Sequence, residues 1–411
     1  MAPGTAAVDV IVAGAGAAGL ACAQDLYAAG LTVLVVEASD AVGGRMRTDT
    51  VRGFRLDRGF QVFNTAYPQV RRRLALKDLR LHPFTPGFVL AGTRGRYRFA
   101  DPTRRPDQAA DLLPGRLAPL RDVLALGLLG ARDMVLPAAL LRCGPDVPTD
   151  RALRRVLSDR TVDEVLRPFL AGVFLEDGLE TSSRYFHLVW RSMLRGTLCL
   201  PEQGIGAVPR ALAAALPPGT VRPEAPVAAV TADGVVLGDG TELAARTVVV
   251  ATEAAAAARL LPGLAVPPAR SVTTLYHAAP VSPLAEPTLV VDSDGVVLNS
   301  VVLSEVVPGC SGDGRALVST SVLGTAADEP AVRARLAELY EADTSGWEHL
   351  ADYPIAAALP AMPAPHPLSR STRFGRGRYV CGDHRATGSV QGALGSGARA
   401  AREVLADLGL R

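Results

Sequence analysis

The stretch "VDVIVAGAGAAGLACAQDL", residues 8–26, decides the fold. Val8 to Val12 are almost all apolar and β-branched and predict a short strand buried on both faces, whereas Ala17 to Leu26 predict a helix. Between them the glycines fall at Gly14, Gly16 and Gly19. In a strand–turn–helix unit the first glycine permits a tight turn, the second lets a pyrophosphate approach the backbone, and the third lets helix and strand pack closely. The segment therefore predicts a dinucleotide-binding fold with phosphates at the helix N-terminus.

A second buried strand and an acidic residue follow this unit. The stretch "LTVLVVEAS" predicts a strand that ends at Glu37. A carboxylate there can accept both ribose hydroxyls of an adenine dinucleotide, and it would repel the additional phosphate of NADP. The alternative is an Ala/Gly-rich turn followed by a surface glutamate.

Composition limits the classes of function. The chain has 411 residues, of which 48% are hydrophobic and 20% charged, and its net charge is +2. This predicts a folded globular protein of two or three domains. Lys77 is the only lysine, so arginine supplies nearly all the positive charge. With a net charge so close to zero, we expect no nucleic-acid partner.

Cysteine spacing and the apolar runs indicate location. The five cysteines lie far apart, without CxxC pairs or histidine clusters, so we predict a reduced, cytoplasmic protein with no metal site. The first apolar run is already the first strand of the nucleotide fold rather than a signal sequence. The later run Val123 to Leu141 is interrupted by charges and by Pro137, which excludes a membrane span but leaves peripheral membrane contact open.

The order of patterns along the chain predicts two interleaved domains in an α/β fold. A Rossmann-like domain with a β-meander is expected from residues 1–80, 205–262 and 370–411, with hairpin turns at Asp233-Gly234 and Asp239-Gly240. An inserted α+β domain is expected from residues 81–204 and 263–369, with a helix at 331–341. The proline-rich stretch "YPIAAALPAMPAPHPLS" is interpreted as a connector.

Seven separated blocks resemble the flavin-containing amine oxidase and phytoene desaturase superfamily. In chain order they are "VIVAGAGAAGLACA", "VVEASDAVGGRMRT", "LDRGFQV", "PEQGIGAVPRALA", "APVAAV", "TVVVAT" and "YVCGDHRATGSVQGALGSGARAA". The Gly43-Gly44-Arg45 triplet and the Gly382-Asp383 block are more specific than the glycine motif alone. The resemblance implies a glutathione-reductase-type domain that binds FAD, an inserted substrate domain, and an FAD-dependent oxidoreductase.

The resemblance also implies where FAD would lie. Its pyrophosphate would lie at the first glycines, its ribose at Glu37, its adenine beside the main chain of Val227, and its ring along residues 59–62. The helix that starts near Val390 would direct its N–H groups toward the flavin pyrimidine, where a helix N-terminus stabilises the negative charge of reduced flavin. The implied cofactor residues are Gly14, Gly16, Ala18, Gly19, Glu37, Ala38, Gly43, Gly44, Arg45, Gly59, Phe60, Gln61, Val62, Val227, Thr252, Gly382, Asp383, Ser389, Val390, Gln391 and Ala393.

Individual residues have simpler alternative roles. Gly43-Gly44 would then be a bare turn, Arg45 a solvated surface charge, Asp383 a helix cap and Val227 an ordinary strand residue. We expect FAD to be bound noncovalently, because Cys381 and His384 are not at the family's usual attachment point.

The sequence departs from the pattern of the amine-oxidising family members at two positions that bear on the reaction. Amine-oxidising members of the family usually carry a lysine near the flavin, where ungapped matching places Thr274, and an aromatic residue in the closing block, where Ser389 stands. These departures favour the phytoene-dehydrogenase-like branch, and with it hydride transfer to the flavin from a C–H bond of an apolar substrate of the isoprenoid or carotenoid kind. An amine oxidase, a redox-neutral isomerase and a non-catalytic flavoprotein are the alternatives.

No general base is evident, and the substrate, electron acceptor and oligomeric state are left open. Gln61, Tyr276 and His277 are candidate catalytic residues. The further residues that could face a pocket are Phe60, Phe63, His82, Glu176 and His187. Peripheral membrane contact is expected through the apolar run Val123 to Leu141, which Arg116, Arg121 and Arg132 border. The alternative is a helix pair that packs against the flavin domain.

Overall fold

The structure is a computed structural model that describes residues 8–101, 104–105 and 118–410. Its first segment folds as predicted, with strand β1 (Val8–Ala13), a glycine turn and helix α1 (Ala17–Ala28). Gly14 has a φ of +110°, and a Cβ atom there would lie 2.8 Å from the carbonyl oxygen of Ala251. A Cβ atom on Gly19 would lie 2.0 Å from the carbonyl oxygen of Gly14. These two glycines therefore have the turn and packing roles that the motif predicts.

The strands that follow β1 are apolar runs or alternating stretches bounded by turns. They are β2 (Val33–Val36), β3 (Thr48–Val51), β4 (Phe54–Asp57), β5 (Phe63–Asn64), β6 (Leu81–Pro83), β7 (Gly87–Gly92), β8 (Gly95–Ala100), β9 (Leu198–Pro201), β10 (Val221–Arg222), β11 (Val227–Val230), β12 (Gly234–Leu237), β13 (Glu242–Val250), β14 (Ala269–Ala279), β15 (Leu289–Asp292), β16 (Asn299–Val302), β17 (Ala316–Leu323), β18 (Glu348–Pro360) and β19 (Arg378–Val380).

The helices that follow α1 connect or cover these strands. They are α2 (Pro68–Arg73), α3 (Leu120–Val135), α4 (Ala138–Cys143), α5 (Thr149–Arg154), α6 (Asp159–Thr161), α7 (Arg167–Phe174), α8 (Ser183–Arg195), α9 (Ala207–Ala214), α10 (Ala254–Leu260), α11 (Leu303–Val306), α12 (Glu329–Tyr340) and α13 (Val390–Asp407), with short 3₁₀ turns at Leu76–Leu79, Pro308–Cys310 and Asp383–Arg385 and a π turn at Val162–Leu166.

The first large sheet contains the strands that were predicted to form the nucleotide-binding fold. Strands β10, β2, β1, β13 and β19 lie side by side in that order and are all parallel. The first half of β13 pairs instead with β12, which pairs with β11 to form the predicted antiparallel meander. Val10 and Val12 pack toward α1, α9 and α13, whereas Ile11 and Ala13 pack toward α10 and the meander. Both faces of the sheet are covered, as is usual for parallel sheets.

The second large sheet has the order β18-β14-β17-β16-β15-β7-β8 and is antiparallel except between β15 and β7. Helix α12 covers one face, through contacts with Leu275 and Val318. Tyr276 and Val301 on the other face pack with Phe54 and Leu56 of β4, which leads into the predicted flavin-side loop. The mixed α/β class with parallel and antiparallel sheets is thus confirmed.

One prediction of local structure needs correction. The stretch interpreted as a connector begins inside β18, where Pro354 pairs with Thr273 of β14. Because β18 is an edge strand, proline there need not donate a hydrogen bond outward. The apolar run 123–141 forms two helices, α3 and α4, because the chain breaks at Pro137.

Helix α13 packs against α1 at a distance that only glycine allows. A Cβ atom on Gly397 would lie 2.1 Å from the carbonyl oxygen of Ala18 and 3.1 Å from the amide nitrogen of Cys22. Backbone atoms of a buried helix cannot move aside cheaply. The position of α13, and therefore of its N-terminus, depends on this contact.

We predict that Gly397→Ala lowers the free energy of unfolding by about 1–3 kcal/mol, since the methyl group overpacks the helix pair. Gly395→Ala in the same helix is the matched control, because the nearest atom to its Cβ would be the side-chain Nε2 atom of Gln391 at 3.7 Å. That control should be neutral or up to about 1 kcal/mol stabilising. Urea unfolding of both variants measures the difference, and equal stabilities would contradict the packing argument.

Candidate functional site

The two glycine motifs meet at the carboxyl end of β1. The Gly43 amide donates to the carbonyl oxygen of Ala15 at 3.0 Å, and Gly16 and Gly43 pair as an isolated parallel bridge. A Cβ atom on Gly44 would lie 3.7 Å from the Cα atom of Gly16. Gly43 and Gly44 have φ values of +127° and +57°. The alternative of a bare turn therefore does not describe Gly43-Gly44, which lies directly against the first motif.

Gly16 differs from the other two glycines of its motif. Its φ is −74°, which any residue can adopt, and a Cβ atom there would have nothing within 4 Å among the described residues. Neither strain nor packing requires glycine at this position. The residue is half-buried at the N-terminus of α1, so its bare backbone faces open space. This cradle fits the close approach of a dinucleotide pyrophosphate.

Glu37 is buried beside the same turn. One carboxylate oxygen accepts a hydrogen bond from the Ala15 amide at 2.6 Å, and the other accepts from the Ser39 amide at 3.0 Å and from its hydroxyl at 2.7 Å. The carboxylate therefore holds the glycine turn as well as standing at the predicted ribose position. Its remaining lone pairs can still accept from a ribose. The alternative of a surface glutamate is wrong, because Glu37 is only 9% exposed.

The adenine end of the predicted site is built on the Glu37 segment. The Ala225 amide donates to the Glu37 carbonyl oxygen at 2.8 Å, which brings the start of β11 and the half-buried Val227 next to it. Ala38, the next residue, is exposed. The contact places the meander beside the ribose position, as the resemblance implies.

Arg45 joins the second glycine motif to the closing block. Its guanidinium contacts a carboxylate oxygen of Asp383 at 2.7 Å and the carbonyl oxygen of Ala358 at 2.7 Å. The Gln61 side-chain amide donates to the Arg45 carbonyl oxygen at 2.7 Å. Arg45 is thus an exposed charge that is anchored by an ion pair with the buried Asp383. The Gln61 side chain therefore positions the main chain of Arg45.

The N-terminus of α13 is capped by Ser389. Its hydroxyl oxygen accepts from the Gly392 amide at 3.0 Å, and the helix starts at Val390 as predicted. The Gln391 side-chain oxygen accepts from the Gln69 amide at 2.9 Å. Ser389 therefore caps α13. The alternative role of Asp383 as the helix cap does not apply, because its carboxylate contacts Arg45.

His384 is a buried residue of the closing block with a side-chain nitrogen that lacks a hydrogen-bond partner in the described part of the chain. It is 4% exposed, and its Nε2 atom has no hydrogen-bond partner among the described residues. Burial lowers its pKa to about 4, against the opposing charge of Asp383. The imidazole is therefore neutral at physiological pH. A polar ligand held by this loop would satisfy the unpaired nitrogen, which again fits a cofactor.

The predicted flavin-side loop contacts the second sheet. The Phe60 amide donates to the Thr274 hydroxyl oxygen at 3.2 Å. Gly59 has a φ of +90°, and a Cβ atom there would lie 2.4 Å from the Cδ1 atom of Ile355. Val62, at the end of the loop, is exposed. Ile355 was missed because its segment was interpreted as a connector.

The region from Gly16 and Glu37 to Arg45 and Asp383 is called the cofactor groove below. The other predicted cofactor residues lie near its two glycine motifs and near the start of α13. Thr252 follows β13 at the Gly14 turn, where the Gly14 Cβ position is 3.2 Å from its amide nitrogen. The Gly382 amide donates to the Ser396 hydroxyl at 3.1 Å. Ala18 lies in the first turn of α1, and Val390 and Ala393 lie at the start of α13.

Two candidate catalytic residues are not brought to this groove. Tyr276 is fully buried and donates its hydroxyl hydrogen to the Asp57 carbonyl oxygen at 2.7 Å, and burial raises its pKa well above the usual range. His277 is on the opposite face of β14, where its Nε2 atom lies 3.0 Å from a Glu329 carboxylate oxygen. Burial lowers its pKa, although Glu329 opposes the shift. Strand alternation separates these neighbours, and both already have structural partners.

The remaining pocket candidates have partners or positions elsewhere. Glu176 forms an ion pair with Arg270, and His187 contacts the Asp133 carboxylate at 2.8 Å in the helical region. Phe63 is buried in the core of the nucleotide domain. His82 lies in β6, beside β9.

Asp57 is a residue that the sequence reasoning missed. One of its oxygens accepts from the Thr48 hydroxyl at 2.6 Å and from the Ile205 amide at 2.9 Å, and the Gly206 amide donates to Thr48 at 2.9 Å. The network ties the flavin-side loop to the "PEQGIG" block. Burial raises the pKa of Asp57 to about 6, although these hydrogen bonds oppose the shift. Its occurrence in the "LDRGFQV" block was the available signal.

Comparison with known proteins decides the family. A family model described as flavin containing amine oxidoreductase matches residues 17–405. The chain belongs to this family. Its members and structural neighbours are FAD-dependent oxidoreductases, so the cofactor implied for the groove is a flavin.

Individual relatives match over shorter spans. A putrescine oxidase of Kocuria rosea is 50% identical over 70 residues, which are 17% of this chain and 14% of that protein. A coproporphyrinogen III oxidase of Propionibacterium freudenreichii is 28% identical over 179 residues, which are 42% of this chain and 33% of the relative. The structure of cyclohexylamine oxidase from Brevibacterium oxydans IH-35A has a TM-score of 0.71 at 19% identity, covering 98% of this chain and 100% of that one.

We predict that Gly16→Ala weakens FAD binding at least tenfold without changing the stability of the apoprotein by more than about 0.5 kcal/mol. The methyl group would meet nothing in the protein but would occupy the cradle. Gly14→Ala is the contrasting control, because it should destabilise the apoprotein through strain and the Ala251 contact. FAD titration and urea unfolding of the apoproteins measure both effects. Unchanged FAD affinity in Gly16→Ala would refute the cradle.

A pH dependence follows from Asp57. Its pKa is higher in the folded protein than the usual value near 4, so the folded state binds the proton more tightly, and stability from this group is present at low pH and is lost as pH rises through about 6. Compared with Asp57→Asn, the wild type should lose about 1 kcal/mol of unfolding free energy between pH 5 and pH 7.5. Asparagine keeps an acceptor for Thr48 and Ile205, so the variant isolates the charge. A difference independent of pH would contradict the assignment.

Proposed function

We propose that this FAD-dependent oxidoreductase dehydrogenates an apolar, uncharged substrate by transfer of a hydride equivalent from a C–H bond, as in the desaturase-like branch. The observation that carries the proposal is an apolar wall beside the flavin-side loop. Its members are Ala171, Val272 and Leu298 together with the partly buried Leu175, Leu323, Ile355 and Ala358.

This apolar wall touches the cofactor groove at two points. The Ile355 side chain lies against Gly59, and the Ala358 carbonyl oxygen accepts from Arg45. Leu323 is directly opposite Val272 on the neighbouring strand, on the same face of the sheet. Partly buried aliphatic groups of this kind suit an apolar substrate placed next to the flavin.

Next to the wall, one row of the sheet carries neutral polar groups. Thr274 pairs with Tyr353 on one side and with Ser321 on the other, and Ser321 pairs with Asn299. Residues paired directly across strands share a face. Thr274 faces Phe60, and a Cβ atom on Gly172 of α7 would lie 2.6 Å from the Asn299 side-chain nitrogen. None of the four residues in this row is charged at neutral pH.

A protonated amine that is taken out of water needs a carboxylate as its counter-ion. Near the apolar wall, Glu176 is 4% exposed, and Arg270 and the Thr181 amide already use its carboxylate. The position where ungapped matching places the family's lysine holds Thr274, which is fully buried. These features support a neutral substrate over an ammonium ion.

In this proposal the protein binds and orients the cofactor and substrate and supplies an electrostatic field at the flavin. Bound FAD would supply the hydride acceptor. The residues around Gly16, Glu37 and Asp383 would hold it, and the N-terminus of α13 would stabilise negative charge on the reduced pyrimidine. We propose noncovalent attachment, because the Cys381 thiol is completely buried in the core that packs against the parallel sheet.

The relatives support the reaction class but not one substrate. They are named after amines and after a porphyrinogen, so the choice between an ammonium and a neutral C–H donor rests on the geometry of the wall. An amine oxidase and a redox-neutral isomerase are therefore outcomes of the test below.

Anaerobic flavin bleaching tests the proposal. We expect a neutral polyene in detergent micelles to reduce the bound flavin, while putrescine and cyclohexylamine at millimolar concentration leave it oxidised. Rapid bleaching by either amine would overturn the proposal. Substrate conversion without bleaching and without any acceptor would indicate the isomerase instead.

Leu323→Gln is the variant that locates the substrate. It should raise the KM for the reducing substrate about tenfold, because it places an amide in the apolar wall. Its FAD content should stay unchanged, since no predicted cofactor residue is altered. Val281→Gln is the control, because Val281 is 79% exposed and lies outside the wall. Equal KM values in the two variants would contradict the position of the wall.

A further inference from the structure

Helix α3 exposes a continuous apolar stripe. Leu120, Leu124, Leu128 and Val135 are 55%, 60%, 73% and 80% exposed, and Ala131 between them is exposed as well. Their spacing of three or four residues places all five side chains within an arc of about 80° on the helix. Isolated exposed aliphatic residues are normal on protein surfaces, but a row along a whole helix marks a contact surface.

The charges of α3 are sorted by face. Asp122 and Asp133 are 1% and 0% exposed. Asp122 accepts from Thr161, and Asp133 contacts His187 at 2.8 Å. The two arginines are exposed along one flank of the stripe, although each also approaches a buried aspartate, with Arg121 3.5 Å from Asp122 and Arg132 2.7 Å from Asp133. The exposed charge on this helix is therefore entirely positive.

The apolar surface continues beyond the bend at Pro137. Leu140 in α4 is 57% exposed, and Arg142 beside it is exposed as well. Arg116, which was also expected to border this region, lies outside the described residues. The α3–α4 face, defined here as Leu120, Leu124, Leu128, Ala131, Val135 and Leu140 with Arg121, Arg132 and Arg142, thus combines aliphatic groups with guanidinium groups.

We propose that the α3–α4 face docks on the surface of an anionic phospholipid bilayer. Aliphatic side chains would enter the boundary between headgroups and acyl chains, while the long arginine side chains reach phosphate groups. No helix in the described part of the chain is both long and apolar enough to cross a membrane, so the contact is peripheral. A second copy of the chain fits less well, because its matching basic flank would bring like charges together.

The docking face is linked to the candidate site through α8. A Cβ atom on Gly130 of α3 would lie 3.2 Å from Leu194 of α8. At the other end of α8, the Tyr185 hydroxyl donates to the Gly388 carbonyl oxygen at 2.8 Å, next to the Ser389 cap. A bilayer at the α3–α4 face would therefore contact the domain that carries the proposed substrate wall. The docking itself does not depend on the proposed function.

Flotation of the FAD-loaded protein with large unilamellar vesicles tests the proposal. Vesicles of phosphatidylcholine and phosphatidylglycerol at 3:1 should carry the protein upward at low salt, and pure phosphatidylcholine vesicles should carry at least tenfold less. Leu124→Gln/Leu128→Gln should lower the partition coefficient at least tenfold, whereas the exposed control Val281→Gln should bind like the wild type. Flavin absorbance and secondary structure confirm that each variant is folded.

Three results would overturn the proposal. The first is protein that stays at the bottom of the gradient with anionic vesicles at low salt. The second is equal binding to neutral and anionic vesicles, which would remove the role of the arginines. The third is a dimer, seen by light scattering without lipid, that the double leucine variant abolishes, since the stripe would then serve self-association.

Discussion

The backbone of the Gly14–Gly19 turn is enclosed so closely that side chains are excluded on two sides. The carbonyl oxygen of Ala251 lies against Gly14, and the carbonyl oxygen of Gly14 lies where a Cβ atom of Gly19 would be. Helix α13 meets α1 with the same closeness at Gly397. Because these contacts are between backbone atoms, they fix the relative positions of β1, α1, β13 and α13 with little room for adjustment. The predicted cofactor groove begins at Gly16, the one glycine of this motif whose Cβ position faces open space.

Around this turn, charged groups are used mainly to join segments that are distant in sequence. Glu37 binds the turn, Arg45 joins the second glycine motif to Asp383, and Asp57 joins the flavin-side loop to Ile205. Each contact satisfies a buried polar group that would otherwise destabilise the fold. The same residues surround the proposed cofactor groove. A change in any of them is therefore expected to act on both stability and FAD retention, which is why only a substitution such as the one at Gly16 separates the two.

The inserted domain has a different composition from the groove. Its sheet presents aliphatic and neutral polar side chains toward the flavin-side loop, and its buried carboxylates Glu176 and Asp133 form ion pairs with arginines. This division is consistent with chemistry in which the cofactor is reactive and the protein supplies a shaped apolar surface. The helical part of the domain adds the exposed stripe of α3. Because both aspartates of this helix are buried, its exposed face carries only aliphatic and basic side chains.

Local pattern alone determined the nucleotide-binding half of this protein. Strand, glycine turn, helix, meander and the start of α13 could all be predicted, because their signals are glycines, caps and apolar runs whose effects are confined to a few neighbouring residues. The tertiary structure decided the rest. Nothing in the sequence shows that Tyr276 points to Asp57 while His277 faces Glu329, that a proline-containing segment is an edge strand opposite Thr274, or that Asp57 is buried. These depend on strand register and on which face of each element is covered, and both are set by contacts between residues that lie from 52 to 219 positions apart.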